Sequence, residues 1–226
     1  MRVDIAKRIE ELHATLPQGV TLIAVSKYHP VEAIRTAYDT GQRDFGESKA
    51  QDLRIKQQQM PDDVHWHFIG HLQSNKIKYI APFIHLIHSI DSLRLLQEVD
   101  KHAAKAKRII PCLLQIHIAR EESKFGFTPE ECRSMLDEGL WHKLKNVELR
   151  GMMCMASNTD DVKQIKEEFG TVKQLFEEIK AKHFANNERF NIFSAGMSDD
   201  YPIAIATGST HIRIGSDIFG PPEHYI

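Results

Sequence analysis

The sequence predicts an α/β protein, folded as a single (β/α)₈ TIM-type barrel domain over residues 1–226. Short apolar runs, typical of buried strands, alternate along the chain with stretches of helical periodicity. Eight such runs occur, and no linker rich in Gly, Ser or Pro divides them. Eight repeats in 226 residues lie near the lower end of the size range of such barrels, and a doubly wound open sheet is the alternative fold.

The eight strands are predicted from apolar runs bounded by turn residues. In chain order they fall at 21–27, 43–47, 65–70, 86–90, 109–118, 147–155, 190–195 and 210–215. The first of them ends on a lysine, Lys27, and Pro30 marks the loop that follows. In a barrel of this kind the active site lies at the carboxyl ends of the strands, so Lys27 is expected there.

The helices are predicted from apolar residues at a spacing of three and four and from their end signals. Gly41 is expected to end the second helix, Asp91 and Ser198 to cap later ones, and Thr128 to begin a capping box with Glu131. The helical stretches are 3–16, 30–41, the polar segment ending near 60, 73–80, those beginning at 91 and 128, 162–179 and 198–208.

Composition excludes several classes of protein. Lys and Arg number 29 against 31 Asp and Glu, a net charge of −2, so there is no basic footprint for nucleic acid. No apolar run is long enough to cross a membrane, and the charged N-terminus does not fit a signal peptide. Cys112, Cys132 and Cys154 are far apart, which predicts buried, reduced thiols in a cytoplasmic protein and no catalytic thiol.

Lys27 is the first candidate for chemistry. A lysine at the edge of an apolar interior loses solvation, and this lowers its pKa toward the range that a Schiff-base lysine needs. The alternative is a structural lysine whose amino group reaches past the strand end into water. The other residues at strand ends are Glu47, His71, Ser89, His117, Met155, Gly196 with Ser198, and Arg213 with Gly215.

The loops after strands seven and eight predict an anion site. One runs through Gly196 to Ser198, and the other places Arg213 before Gly215 and Ser216. Backbone N–H groups in glycine-containing loops bind anions, and barrels of this type often bind phosphate at these two loops. The alternative is an ordinary glycine-rich turn beside a surface arginine.

A metal site is not predicted. His65 and His67 share one face of a strand, and His71 follows that strand. The sequence shows no carboxylate or cysteine cluster beside these histidines, so no metal ligand is assigned.

The chain resembles the pyridoxal-phosphate homeostasis protein family, which is related to the barrel domain of alanine racemase. The resemblance covers residues 24–220 and is most specific in the C-terminal run that begins at Gly208. The matching segments are AVSK at 24–27, FGE at 45–47, HFIGHLQSNK at 67–76, HSID at 88–91, SKFG at 123–126, GMSDD at 196–200 and GSTHIRIGSDIFG at 208–220.

The resemblance implies a cofactor, pyridoxal 5′-phosphate (PLP), held as an internal aldimine on Lys27. It further implies that Ser198 and the backbone amides of Gly215 and Ser216 bind the phosphate. Arg213 would face the pyridine nitrogen. Thr210, in the same C-terminal motif, is included among the cofactor-binding residues. Ser48 and His117 stand where the family usually has asparagine.

The same resemblance separates a carrier from an enzyme. Racemases of this fold carry a second, all-β domain and a tyrosine opposite the lysine, whereas this chain ends at Ile226 with Tyr225 in its tail. Proton transfer on two faces of a substrate needs two acid–base groups, and only Lys27 is evident. We therefore expect a monomeric PLP-binding protein of intracellular vitamin B6 homeostasis, without substantial catalysis, whose partners are PLP and PLP-dependent apo-enzymes.

Two alternatives stay open. One is a minimal PLP-dependent racemase or lyase that uses Lys27 together with His71 or His117. The other is a phosphosugar isomerase or aldolase barrel that works without a cofactor.

Overall fold

Eight parallel strands pair in chain order, and β8 closes the barrel by pairing with β1. The structure is a computed structural model that describes residues 3–119 and 125–221. The strands are β1 (Thr21–Val25), β2 (Asp44–Glu47), β3 (His65–Phe68), β4 (Leu86–Ile90), β5 (Ile110–Ile116), β6 (Val147–Cys154), β7 (Ile192–Ser194) and β8 (His211–Ile214). The predicted barrel is confirmed, and the open sheet is wrong.

Helices follow the strands and cover the outside of the barrel. They are α1 (Ile5–Thr15), α2 (Val31–Asp39), α3 (Ala50–Gln57), α4 (Ile77–Ile80), α5 (Leu93–Lys105), α6 (Pro129–Asp137), α7 (Val162–His183), α8 (Tyr201–Ala206) and α9 (Ser216–Phe219). The short α9 was not predicted, because four residues carry no periodicity that a sequence pattern can reveal.

Two packed layers form the core because neighbouring side chains along a strand point to opposite faces. Most of the apolar side chains lie between the strands and the helices, with Ile212 and Ile214 of β8 as examples. A smaller cluster fills the barrel interior, formed by Leu86, Leu113, Met153 and Ile192 with Met155 packed against it.

The helix ends confirm some expected caps and correct others. Thr128 and Glu131 form the predicted capping box, and Gly41 follows α2 with a positive φ of 99°. Ser92, not Asp91, caps α5, because its hydroxyl accepts the N–H of Leu95.

The predicted cap at Ser198 is also wrong. Helix α8 begins at Tyr201 with Asp200 before it, so Ser198 lies in the preceding turn. The Ser198 hydroxyl is therefore not used to cap α8.

Burial accounts for the three cysteines. All three thiols are free and buried, and burial raises the pKa of Cys112 strongly and those of Cys132 and Cys154 to about 12. A thiol with so high a pKa is a poor nucleophile.

Within the described ranges, no helix is both long and apolar enough to span a bilayer. Positions 123 and 124 of the matching SKFG segment, together with Tyr225 and Ile226, lie outside these ranges.

Candidate functional site

A cavity of about 340 Å³ opens at the carboxyl ends of the strands. Five of the six residues predicted to bind a cofactor line it: Lys27, Ser198, Arg213, Gly215 and Ser216. The remaining lining residues are Val25, Tyr28, His29, Ser48, Ile69, Gly70, Met155, Met197, Asp199 and Gly220. The volume lies within the range of small-molecule sites.

Lys27 lies in a turn just beyond β1. The strand ends at Val25, not at Lys27 as predicted, and the Lys27 side chain is exposed at the cavity mouth. Tyr28, the next residue, has a positive φ of 67°, a conformation that costs energy for a residue with a side chain. The Nζ atoms of Lys27 and Lys49 lie 5.9 and 5.2 Å from the centroid of the Tyr28 ring.

A buried ion pair between Lys56 and Glu47 contacts the backbone of the turn that carries Lys27. Nζ of Lys56 lies 2.6 Å from Oε1 of Glu47 and donates to the carbonyl oxygen of Ser26, 2.9 Å away. The hydroxyl of Ser26 donates to the same Glu47 oxygen. Burial raises the pKa of Glu47 against the opposing effect of Lys56. Glu47, a predicted strand-end residue, therefore holds the residue before Lys27 and does not line the cavity.

Arg213 brings a buried positive charge to the cavity. It is 4% exposed, and burial lowers the pKa of its guanidinium. The guanidinium donates to Oγ of Ser194 at 2.6 Å and to the carbonyl oxygen of Cys154 at 2.9 Å. An arginine has five N–H donors, so these two contacts leave donors for a ligand.

Two serine hydroxyls meet on the side of the cavity formed by the last two loops. Oγ of Ser216 donates to Oγ of Ser198 over 3.1 Å, which joins the start of α9 to the turn before α8. Asp200 fixes that turn, because its carboxylate accepts the N–H of Met197 at 2.6 Å. Gly196 has a φ of 98°, and a Cβ there would lie 2.8 Å from Ala204 and Tyr201, so the turn requires glycine.

The opposite wall depends on a close approach between two loops. A Cβ on Gly70 would meet the backbone of Ser48, and both residues line the cavity. The sequence marks Ser48 only as a departure from the family pattern and predicts no role for Gly70. A glycine within a matching motif is the signal that could have identified this wall.

Met155, a predicted strand-end residue, also lines the cavity, whereas the structure does not bring Thr210, Ser89, His117 or His71 there. Thr210 precedes β8 and lies at the opposite end of the barrel, where its hydroxyl bonds to backbone atoms of Phe193 and its carbonyl oxygen accepts the N–H of Thr21. Thr210 and Gly215 belong to one sequence motif, but the four residues of β8 lie between them and place them at opposite ends of the strand. The motif match alone could not reveal this separation. Ser89 is buried and His117 is partly buried. Oγ of Ser89 and Nδ1 of His117 have no hydrogen-bond partner among the described residues.

His71 lies outside the cavity lining as well. Its ring stacks on Phe125 with centroids 3.7 Å apart, and Nδ1 lies 3.3 Å from a carboxylate oxygen of Asp91. These contacts hold the imidazole beside the rim. They do not place it opposite Lys27.

A second cavity of similar volume lies beside the first, between α2 and α3. It is lined by Tyr28, His29, Pro30, Val31, Lys49, Asp52, Ile55 and Lys56. It contains no residue of the last two strands and therefore lacks Arg213 and the paired hydroxyls. We take the cavity at the strand ends as the candidate site.

Polar side chains run through the barrel interior from this cavity to the opposite rim. Ser194, which accepts from Arg213, lies 3.0 Å from Nδ1 of His88, and Nε2 of His88 lies 2.9 Å from Nδ1 of His67. Nε2 of His67 lies 2.9 Å from Oδ1 of Asp44. Burial, followed by the charges around it, lowers the pKa of His88 well below its ordinary value, so the imidazole is neutral at neutral pH.

Asp44 is a carboxylate that contacts His67 and His65, so the expectation that no carboxylate lies beside these histidines is wrong. In the β2–β3 register Asp44 lies directly opposite His65, and it reaches His67 two residues along the same face. Burial alone would raise the pKa of Asp44, but the hydrogen bond from His67 and the nearby imidazoles lower it.

The cavity can bind a small anionic molecule that carries an electrophilic carbon. One amine, one buried guanidinium and two adjacent hydroxyls line its walls. The amine can attack a carbonyl carbon, the hydroxyls and the first N–H groups of a helix accept an anion, and the guanidinium supplies a fixed donor.

Sequence comparison finds relatives over most of the chain. Residues 3–222 match the family model for the alanine racemase N-terminal domain. The pyridoxal phosphate homeostasis protein of Helicobacter pylori (strain ATCC 700392 / 26695) is 40% identical over 202 residues, covering 88% of this chain and 87% of that protein. The protein of the same name from Synechocystis sp. (strain PCC 6803) is 37% identical over 212 residues, covering 93% of this chain and 95% of that protein.

Comparison with solved structures also finds similar proteins over most of the chain. PipY of Synechococcus elongatus PCC7942, solved without PLP, is 36% identical and superposes with a TM-score of 0.89 over 96% of this chain and 100% of its own. The same protein with PLP bound gives a TM-score of 0.87 over the same shares of the two chains. Alanine racemase of Clostridium difficile 630 shares the fold, with a TM-score of 0.78 at 14% identity over 99% of this chain and 58% of its own.

Proposed function

Because the chain belongs to the pyridoxal phosphate homeostasis protein family, we propose that it binds PLP at the strand-end cavity and acts in PLP homeostasis. The observation that carries this proposal is the meeting of Lys27, Arg213, Ser198 and Ser216 around one cavity of about 340 Å³. PipY, a relative of the same fold, has been solved with PLP bound.

The chemistry of the donor set fits PLP. PLP supplies an aldehyde that combines with amines and a ring that withdraws electrons. Lys27 offers the amine, and its exposed position at the mouth leaves Nζ free to reach a bound aldehyde. We propose that Nζ of Lys27 holds the cofactor covalently as a Schiff base.

The hydroxyl pair and the start of α9 fit the phosphate. Ser198 and Ser216 are 3.1 Å apart at Oγ, so both can donate to one phosphate group. Gly215 adds backbone without a side chain at the same wall, and α9 begins at Ser216, where the first N–H groups of a helix have no partner within it.

Arg213 fits the ring nitrogen. Its guanidinium is held by Ser194 and the Cys154 carbonyl and stays charged even when buried. A fixed donor of this kind keeps a facing pyridine nitrogen unprotonated, and an unprotonated ring stabilises carbanions poorly. The arrangement therefore supports binding of PLP more than catalysis with it.

We propose a carrier in preference to a racemase for a second reason. Racemisation needs acid–base groups on both faces of the substrate, and neither His71 nor His117 is among the described residues that line the cavity. The assay is incubation of the PLP-loaded protein with single amino-acid enantiomers, followed by chiral chromatography. Turnover well above that of free PLP would overturn the carrier proposal and leave the PLP-binding proposal intact.

The binding experiment is a titration of the purified chain with PLP, followed by visible absorbance. We expect a shifted band that saturates at one PLP per chain and is absent in Lys27→Ala. Lys49→Ala is the matched control, because Lys49 also lies over the Tyr28 ring but does not line the cavity. An unshifted spectrum in the native protein, or a shift retained by Lys27→Ala, would contradict the proposal.

We further propose that the chain works in the cytoplasm as a monomer and passes PLP to PLP-dependent apo-enzymes. Three buried free cysteines are in keeping with a reducing compartment. Recovery of activity by an apo-enzyme that is mixed with the loaded protein, measured against an equal amount of free PLP, tests the transfer.

A further inference from the structure

The rim opposite the cofactor cavity carries an arrangement that the proposed function does not use. At the amino ends of the strands, Asp44 of β2, His67 of β3 and His85 just before β4 place their ligand atoms within 4.8 Å of one another. Among the residues that the structure describes, these three make up the one group of His, Cys, Asp and Glu that meets this geometry. Two imidazoles and one carboxylate are a known donor set for a divalent transition metal with an open coordination position.

His67 is built as a metal ligand would be. It is 1% exposed, so its ring is fixed by the barrel interior. Nε2 faces Asp44, and Nδ1 lies 2.9 Å from Nε2 of His88. A ligating histidine needs a partner for its second nitrogen to hold the ring in place, and His88 supplies one.

The other two ligands leave a path for an ion. Asp44 is partly exposed and His85 is exposed, so the group opens to solvent at the bottom of the barrel. A tetrahedral zinc site holds its ligand atoms about 3.3 Å apart, and the exposed His85 can rotate to close the remaining distance.

Neighbouring aromatic rings define this rim further. The rings of His65 and His85 stack with centroids 4.5 Å apart, and the His67 ring lies 5.4 Å from His85.

We propose that Asp44, His67 and His85 bind one divalent transition-metal ion, and Zn²⁺, which catalytic sites with two histidines and one carboxylate bind, is the ion used to test the site. The site lies at the end of the barrel opposite the PLP cavity. It is joined to that cavity through His88, Ser194 and Arg213. The metal-site proposal does not depend on the proposed PLP site, and the two are tested independently.

The test uses the full chain without a histidine tag, stripped with a chelator and then titrated with Zn²⁺ against a chromogenic chelator. Co²⁺ serves as a second probe, because its visible absorption reports coordination by the protein. We expect one saturable equivalent per chain. We expect affinity at least about 100-fold weaker in His85→Ala and in Asp44→Asn, since even outer partners of a ligand alter affinity about 10- to 100-fold.

His183→Ala is the matched control. Nε2 of His183 lies 3.0 Å from Oδ1 of Asp137, so the variant also removes an Asp–His contact, but no third metal-binding group within residues 3–119 and 125–221 joins that pair. His183→Ala should retain the native affinity. His85 is exposed, so its substitution leaves the core intact, and circular dichroism checks the fold of each variant.

Three results would overturn the proposal: no saturable binding by the native chain, equal binding by His85→Ala and Asp44→Asn, or equal loss in His183→Ala. The PLP titration of the same preparations is recorded in parallel. A native PLP spectrum with no metal binding would refute the metal site alone.

Discussion

Nη1 of Arg213 donates a hydrogen bond of 2.6 Å to Oγ of Ser194, and through it the cofactor cavity is connected to the interior of the barrel. Ser194 is fully buried and also lies 3.0 Å from Nδ1 of His88. Arg213 and His88 would each lose a buried partner if this hydroxyl were absent. The orientation of the guanidinium therefore depends on Ser194.

Ser194→Ala should lower the free energy of unfolding by about 1–3 kcal/mol, since it leaves buried polar groups unpaired. It should also shift the absorption of bound PLP, because Arg213 loses an anchor. Ser89→Ala is the control: the Ser89 hydroxyl is buried too but has no protein partner among the described residues, so its removal should be neutral or stabilising. Urea titrations measure the free energy of unfolding of both variants. Equal losses in Ser194→Ala and Ser89→Ala would contradict the proposed role of Ser194.

Ser198→Ala should weaken PLP binding about 10- to 150-fold, the equivalent of about 1.5–3 kcal/mol for a hydrogen bond to a charged group. Thr210→Val should leave PLP affinity unchanged, because Thr210 lies at the far end of β8 and bonds to Phe193. Equilibrium dialysis measures both constants. A larger loss in Thr210→Val than in Ser198→Ala would favour the motif-based assignment over the geometry.

Gly70→Ala and Gly170→Ala should have opposite effects on stability. A Cβ on Gly70 would lie against the carbonyl oxygen of Ser48 and 2.8 Å from its Cα, so the cavity wall must move, at a cost of about 1–3 kcal/mol. Gly170 lies within α7 with open space around it, so alanine there should stabilise the chain by about 0.5–1 kcal/mol. Thermal unfolding and PLP titration of both variants test the pair. Weaker PLP binding is expected for Gly70→Ala only.

Lys56→Met should lower the free energy of unfolding by about 3–5 kcal/mol, because it leaves the Glu47 carboxylate buried without its partner. Lys163→Met removes an exposed pair with Glu167, 3.8 Å apart, and should change stability by less than about 1 kcal/mol. Denaturant titration compares the two. A small effect of Lys56→Met would show that the Lys27 turn does not depend on this ion pair.

The sequence predicted the elements that depend on local signals. Thr128 and Glu131 lie three residues apart and form their capping box in the structure, and the apolar face of α7 is visible in the spacing of its residues. The order of strands followed from their number and alternation. The sequence predicts a cap at Ser198 because serine is a common cap, but Asp200 is the residue that precedes α8.

Contacts between neighbouring strands were not predictable from one sequence. Asp44 and His67 are 23 residues apart, and they meet because the register of β2 and β3 places them on one face. His85 joins them from the start of a third strand. The positive φ of Tyr28 likewise has no local signal, because a tyrosine there is held by the turn around it and not by its own preference.

The central claim is a covalent bond between Nζ of Lys27 and PLP, and the most direct measurement is mass spectrometry of the PLP-loaded chain after borohydride reduction. Reduction makes the bond permanent, so peptide mapping identifies the lysine that carries the cofactor. We expect one adduct per chain, on the peptide that contains Lys27 and not on the one that contains Lys49. An adduct on Lys49 or spread over several lysines, or no adduct at all, would contradict the account.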